Sequence, residues 1–244
     1  MGFIKSIQTT IGSQFDDSFK EIIKPEKKDK NMLIKKVTTE SGIISDKSRL
    51  FVEPGECAIL VDNGTIKDIV TEPGMYFMDT SSPVLLQTDI FGGLAKTILD
   101  GIKRIAYKGE IVQEQAVYFI SLTEKNDQKF STETPIIYKD PERGPIEILA
   151  NGVYAFEVNN PVALLTNITG TVNEFYINDL AISIEPFIKS GIANLDVRFE
   201  EIISKKTKIG KEIIKIFSER LEPLGIEVTK LVLTTIDVPK EPKK

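Results

Sequence analysis

Acidic side chains between the first glycine turns are the natural place to look for chemistry. Asp62, Asp68 and Glu72 lie close together in "VDNGTIKDIVTEPG", and two carboxylates held near one another can divide into a general acid and a general base. Their setting argues against that role, because acids beside Asn-Gly and Pro-Gly are usually solvated turn residues. The chain has no histidine, which removes the usual proton shuttle at neutral pH. With Cys57 as its single cysteine, it also leaves no zinc, haem or copper site to expect. Cys57 stands inside the apolar run "CAILV" and reads as a small buried hydrophobe. No serine occupies a Gly-x-Ser-x-Gly elbow. In "GGLAKT" at 92–97 the second glycine does not directly precede Lys96, so the Walker phosphate pattern fails. No catalytic residue, cofactor or small-molecule substrate is expected.

The residues best suited to act on another molecule do so by contact. Over residues 1–23, Phe3, Ile4, Ile7, Ile11, Phe15, Phe19, Ile22 and Ile23 recur along one broad stripe at helical spacing, opposite Ser6, Thr9, Thr10, Ser13, Asp16, Asp17 and Lys20. The spacing predicts an amphipathic helix. Pro25 ends it. In the next stretch, 24–36, six lysines stand against Glu26 and Asp29, a local excess of four positive charges in a chain whose formal net charge is −5. Burying one Phe or Ile is worth roughly 1.5–3 kcal/mol, and a lysine near an anionic membrane adds about 1 kcal/mol. The candidate contact residues are therefore Phe3, Ile4, Ile7, Ile11, Phe15 and Phe19, assisted by Lys27, Lys28 and Lys30. Three destinations stay open for this stripe: a bilayer surface, a protein partner, or the chain's own domain.

The acidic balance argues against nucleic acid, which needs a basic surface to displace counterions. Nowhere do about 20 consecutive apolar residues occur, and the first residues lack a signal peptide's continuous apolar core. The expectation is a chain that lies in solution or on a membrane, within a reducing compartment.

Beyond Arg49 the pattern changes to short runs punctuated by turns. "RLFVE", "ECAILVD", "TIKDIV" and "MYFM" read as strands separated by Pro54-Gly55, Asn63-Gly64 and Pro73-Gly74. Each Pro-Gly suits a type II turn. Apolar residues at three- and four-residue steps predict a helix over 90–106, after which "EQAVYFISL" and "PIIYKD" resume strands. In "GPIEILANGVYAFEV" one period-two phase runs through Asn151-Gly152, which predicts a single long strand with a bulge or close approach at Gly152. Two helical stripes follow, Phe175–Ile188 and Phe199–Leu221, then a closing strand in "IEVTKLVLTTIDV". Strands and helices are largely segregated, so the fold class is α+β, with a small antiparallel sheet and C-terminal helices.

"VEPGECAILVDNGTIKDIVTEPGMYF" resembles the opening of the SPFH domain, also called Band 7 or prohibitin-homology domain. "VYFISLTEKNDQKF" and "ILANGVYAFEVNNPVALL" resemble its middle strands, and "ERLEPLGIEVTKLVLTTIDVPKE" is similar to its close. The resemblance covers residues 48–240, preceded by the helix at 1–23 and a basic linker at 24–47 and followed by a tail at 241–244. "MGFIKSI" and the insertion "FGGLAKTILDGIKRIAYKGE" resemble the soluble bacterial branch labelled virion core protein-like.

The resemblance implies a non-enzymatic scaffold that forms homo-oligomers and sits in the cytoplasm against the inner face of the cell membrane. It holds there through lipid or an integral-membrane partner, in bacterial envelope stress. Typical members add a membrane-inserted N-terminal segment and a coiled coil, and branch relatives often add a zinc ribbon; none is expected here. Two other functions stay open: a small-molecule-binding or hydrolytic domain using sheet carboxylates, and an adaptor regulating a membrane protease.

Overall fold

The computed structural model describes residues 4–6, 21–26, 29–46, 48–78, 114–169 and 172–239. In chain order its strands are β1 (Ile4–Ser6), β2 (Ile22–Ile23), β3 (Met32–Thr38), β4 (Arg49–Val52), β5 (Glu56–Asp62), β6 (Thr65–Val70), β7 (Gly74–Met78) and β8 (Gln115–Ser121). There follow β9 (Lys125–Ser131), β10 (Ile136–Asp140), β11 (Gly144–Val158), α1 (Pro161–Leu164) with a π-turn (Leu165–Thr169), and β12 (Glu174–Tyr176). The chain closes with α2 (Ile177–Ala193), α3 (Phe199–Ser204), α4 (Lys206–Leu221) and β13 (Ile226–Asp237). The architecture is α+β, as the segregation of the patterns predicts. It divides into two compact units, the described residues up to Leu122 with Pro161–Ile177, and Thr123–Asn160 with those from Asn178 onward.

In the first unit the glycine turns do what their chemistry allows. Asn63 (φ 49°) and Gly64 (φ 72°) both take positive φ, as a two-residue hairpin between β5 and β6 requires. Gly55 (φ 76°) supplies the left-handed corner after Pro54. Pro73-Gly74 does not form the second type II corner: Gly74 has φ 159° and already pairs with Val52 as the first residue of β7. Two sheets result, in the orders β1-β7-β4-β2 and β12-β3-β8-β5-β6. Ile23, Leu50, Val52, Tyr76 and Met78 of the first pack with Ala58, Leu60, Val70, Val117 and Phe119 of the second. The centres of β5 and β8 are buried on both faces, which is why they read as unbroken apolar runs rather than alternations.

Two expectations are corrected here. The stretch 24–47, expected as a linker, holds β3, with Leu33 and Ile34 buried in the sheet. The two lysines of β3 pair far along the chain, Lys36 with Glu114 at 2.6 Å and Lys35 with Glu174. The helix expected over 1–23 is replaced at both ends by strands, β1 antiparallel to β7 and β2 parallel to β4. Residues 7–20, and the helix expected at 90–106, lie outside the described residues.

In the second unit β11 is the long strand that its single phase predicts. β10 pairs its first half, β9 its second, and β13 runs along it from Leu149↔Asp237 to Val158↔Ile226, with a bulge at Asn151/Gly152. A Cβ on Gly152 would lie 2.4 Å from the Val232 carbonyl oxygen, the close approach expected there. α4 seats on β13 through Gly210, where a Cβ would lie 1.8 Å from the Leu231 oxygen. The helical stripes needed two adjustments. Phe175 and Tyr176 belong to β12, and the second stripe breaks at Lys205, whose φ −121° and ψ 38° are not helical. Ile202 of α3 and Ile209 of α4 are both buried on either side of that break.

Candidate functional site

Alternation in β4 and β7 decides which side chains the first sheet shows to solvent. Leu50 and Val52 point inward with Tyr76 and Met78, which leaves Arg49, Phe51, Met75 and Phe77 on the outer face. The register sets them in rows. Phe51 stands opposite Met75 and Arg49 opposite Phe77. Ile22 of β2 extends the second row beside Arg49. Ile22 is 46% exposed, Met75 39% and Phe51 36%, while Phe77 is half-buried beneath the Arg49 guanidinium, 5.6 Å from its ring centroid. Tyr76 braces the entry to β7 by donating its hydroxyl to the Glu72 carbonyl at 2.7 Å. Burial, with Glu72 nearby, raises the pKa of that phenol.

The charge on this sheet is one-sided. Its four strands, "IKS", "II", "RLFV" and "GMYFM", contain Lys5 and Arg49 and no acid, in a chain of net charge −5. Among the described residues directly flanking these strands the acids are Glu21, Glu53 and, beyond Pro73, Glu72, and in sequence Asp79 follows β7. An apolar sheet face whose strands carry two basic residues and no acid matches a surface that is both greasy and anionic.

Of the residues that the sequence singles out as candidate contacts, this sheet holds Ile4 among the described residues. β1 and β2 are its two opposite edges. Three strand spacings, about 14 Å, separate those edges. Ile4 lies in β1. Lys30 is exposed in a turn where the Asp29 carboxylate accepts the Asn31 N–H at 2.8 Å. Phe3, Ile7, Ile11, Phe15, Phe19, Lys27 and Lys28 lie outside the described residues. Sequence reasoning missed Ile22 as part of a sheet, and it missed Phe51, Met75 and Phe77 as a surface. The alternation in "RLFV" and "MYFM" was visible, but only the second sheet shows which face is covered.

Asp62 and Asp68 each have local partners. Asp62 faces Lys67 at 3.9 Å and accepts the Asn63 side-chain amide at 3.0 Å, while Asp68 accepts the Ile69 N–H two rungs along the same ladder. Among the described residues no group of three or more Cys, Asp or Glu side chains could hold a metal ion. The Cys57 thiol is fully buried, and desolvation with the Glu56 charge pushes it far above the ordinary thiol range.

A second set of perturbed groups sits in the other unit and is structural. Asp140 accepts the N–H of Arg143 at 2.8 Å, of Phe199 at 2.7 Å and of Glu142 at 2.9 Å, which holds its carboxyl below the usual range. These bonds tie the β10–β11 turn to the first residue of α3, and Tyr138 adds a hydroxyl bond to the Val197 carbonyl. Both oxygens of Asp140 are engaged by backbone N–H groups.

A model described as the SPFH domain-Band 7 family matches residues 36–244. No curated protein matches the chain.

Proposed function

The chain belongs to the SPFH domain-Band 7 family, and from that premise we propose that it is a non-enzymatic scaffold that lies against an anionic membrane through the outer face of β1-β7-β4-β2. The exposed Phe51–Met75 pair, backed by a sheet without acids, is the observation that carries this reading. The apolar stripe of residues 7–20 adds to the contact through Ile7, Ile11, Phe15 and Phe19. Lys27, Lys28 and Lys30 supply attraction to headgroups. The surface is the cytoplasmic face of a bacterial cell membrane, and the setting is envelope stress, as the resemblance implies.

The size of the contact explains why a scaffold must self-associate. Full burial of a large apolar side chain is worth roughly 1.5–3 kcal/mol, and Ile22, Phe51 and Met75 still expose between a third and a half of their surface. Together they offer about 2–4 kcal/mol, too little to hold one copy. Many copies held together turn that weak contact into avidity. No described helix is long and apolar enough to cross a membrane, and the attachment proposed here is by surface contact.

Co-sedimentation with phosphatidylglycerol-rich vesicles tests the reading. The full chain pellets, and the double variant Phe51→Ser, Met75→Ser binds roughly tenfold more weakly or worse. Equal pelleting of both removes the sheet face from the mechanism. Loss of self-association without loss of vesicle binding would instead make the face an interface between copies.

A further inference from the structure

Met75 puts a sulfur at the centre of the proposed docking face, directly opposite Phe51. The other sulfurs among the described residues are shielded to different degrees. Cys57 is fully buried, Met78 is on the inner face at 2% exposed, and Met32 is half-buried in β3. Met75 is 39% exposed, so an oxidant arriving through water reaches it first.

We propose that Met75 is an oxidation site through which a hydroperoxide releases the sheet from the membrane; this rests on the docking proposed above. The thioether sulfur attacks a peroxide oxygen, the O–O bond breaks as the S–O bond forms, sulfur loses two electrons and hydrogen peroxide leaves as water. The sulfoxide is strongly polar and accepts hydrogen bonds from water, so placing it against acyl chains opposes the contact that the thioether favours. The change falls on one of the three most exposed apolar positions of the face. It is chemically reversible, since sulfoxide reductases restore the thioether. A buried thiol such as Cys57 cannot serve as this sensor while the chain is folded.

The test uses the full chain, hydrogen peroxide and phosphatidylglycerol-rich vesicles, with peptide mass mapping to locate each added oxygen. The readout is the ratio of vesicle affinity before and after oxidation within each protein, so any shift in starting affinity cancels. The parent chain should lose about tenfold or more as Met75 gains one oxygen, and sulfoxide reductase should restore it. Met75→Leu should give a ratio near one, while Met32→Leu should respond as the parent does. Retained binding by parent chain fully oxidised at Met75 overturns the proposal, as does an equal loss in Met75→Leu. Failure of the unoxidised parent to bind vesicles overturns the docking reading itself, and is told apart because it precedes any oxidation.

Discussion

Gly210→Ala should destabilise the protein although alanine is the better helix former. In an unopposed helix interior the change would stabilise by about 1 kcal/mol. At Gly210 the added methyl would stand 1.8 Å from the Leu231 carbonyl oxygen and 2.9 Å from its carbon. Backbone atoms cannot turn aside as a side chain can, so relief requires α4 to lift from β13 by more than 1 Å at this point. Gaps of that order forfeit a quarter to a half of each dispersion contact, and Ile209, Ile213 and Phe217 are all buried on the same side of α4. Overpacking of this kind costs about 1–3 kcal/mol and occasionally more. Taking about 3 against the propensity gain of about 1 leaves a net loss of about 2 kcal/mol, or roughly 4–8 °C in Tm for a chain of this size. Urea and thermal unfolding of Gly210→Ala beside the exposed control Lys211→Ala measure it. A variant as stable as the parent, or more so, would mean that helix propensity acts unopposed and that α4 is not seated on β13 through this glycine.

Tyr154→Phe should be neutral or stabilising by about 1 kcal/mol. The buried Tyr154 hydroxyl has no hydrogen-bond partner among the described residues, its pKa pushed up to about 12 by desolvation and the Glu185 charge, so a clear loss of thermal stability would show that the hydroxyl is satisfied. Asp140 sets a pH dependence of definite sign. Its folded-state pKa is depressed, so its contribution is fully present above the ordinary carboxyl value near 4 and is lost as pH falls through the lower folded value. Unfolding midpoints of Asp140→Asn between pH 7 and pH 3 should start below the parent's and decline less steeply. Parallel curves would remove Asp140 from the acid response.

Local chemistry made some elements legible and hid others. The β5–β6 hairpin was readable because Asn63-Gly64 admits one turn geometry between two apolar runs. β11 was readable because its apolar phase survives Asn151-Gly152. β3 was hidden, since a lysine-rich stretch reads as a solvated linker until Glu114 and Glu174 arrive from 78 and 139 residues away. The N-terminal doublets Phe3-Ile4 and Ile22-Ile23 fit a helical stripe and an edge strand equally well, and pairing with β7 and β4 decides for strands at Ile4 and at Ile22-Ile23. Phe51 and Met75 look like core residues in sequence. The second sheet covers Leu50 and Tyr76, while Phe51 and Met75 on the opposite face stay 36% and 39% exposed.

The chain contains no tryptophan, so Phe51→Trp gives a single reporter excited apart from the tyrosines. Bound to phosphatidylglycerol-rich vesicles, that residue should shift its emission to the blue and be quenched by lipids brominated along the acyl chain, since the account places position 51 against the bilayer. Vesicle-bound protein whose Trp at position 51 stays water-exposed and unquenched would contradict it.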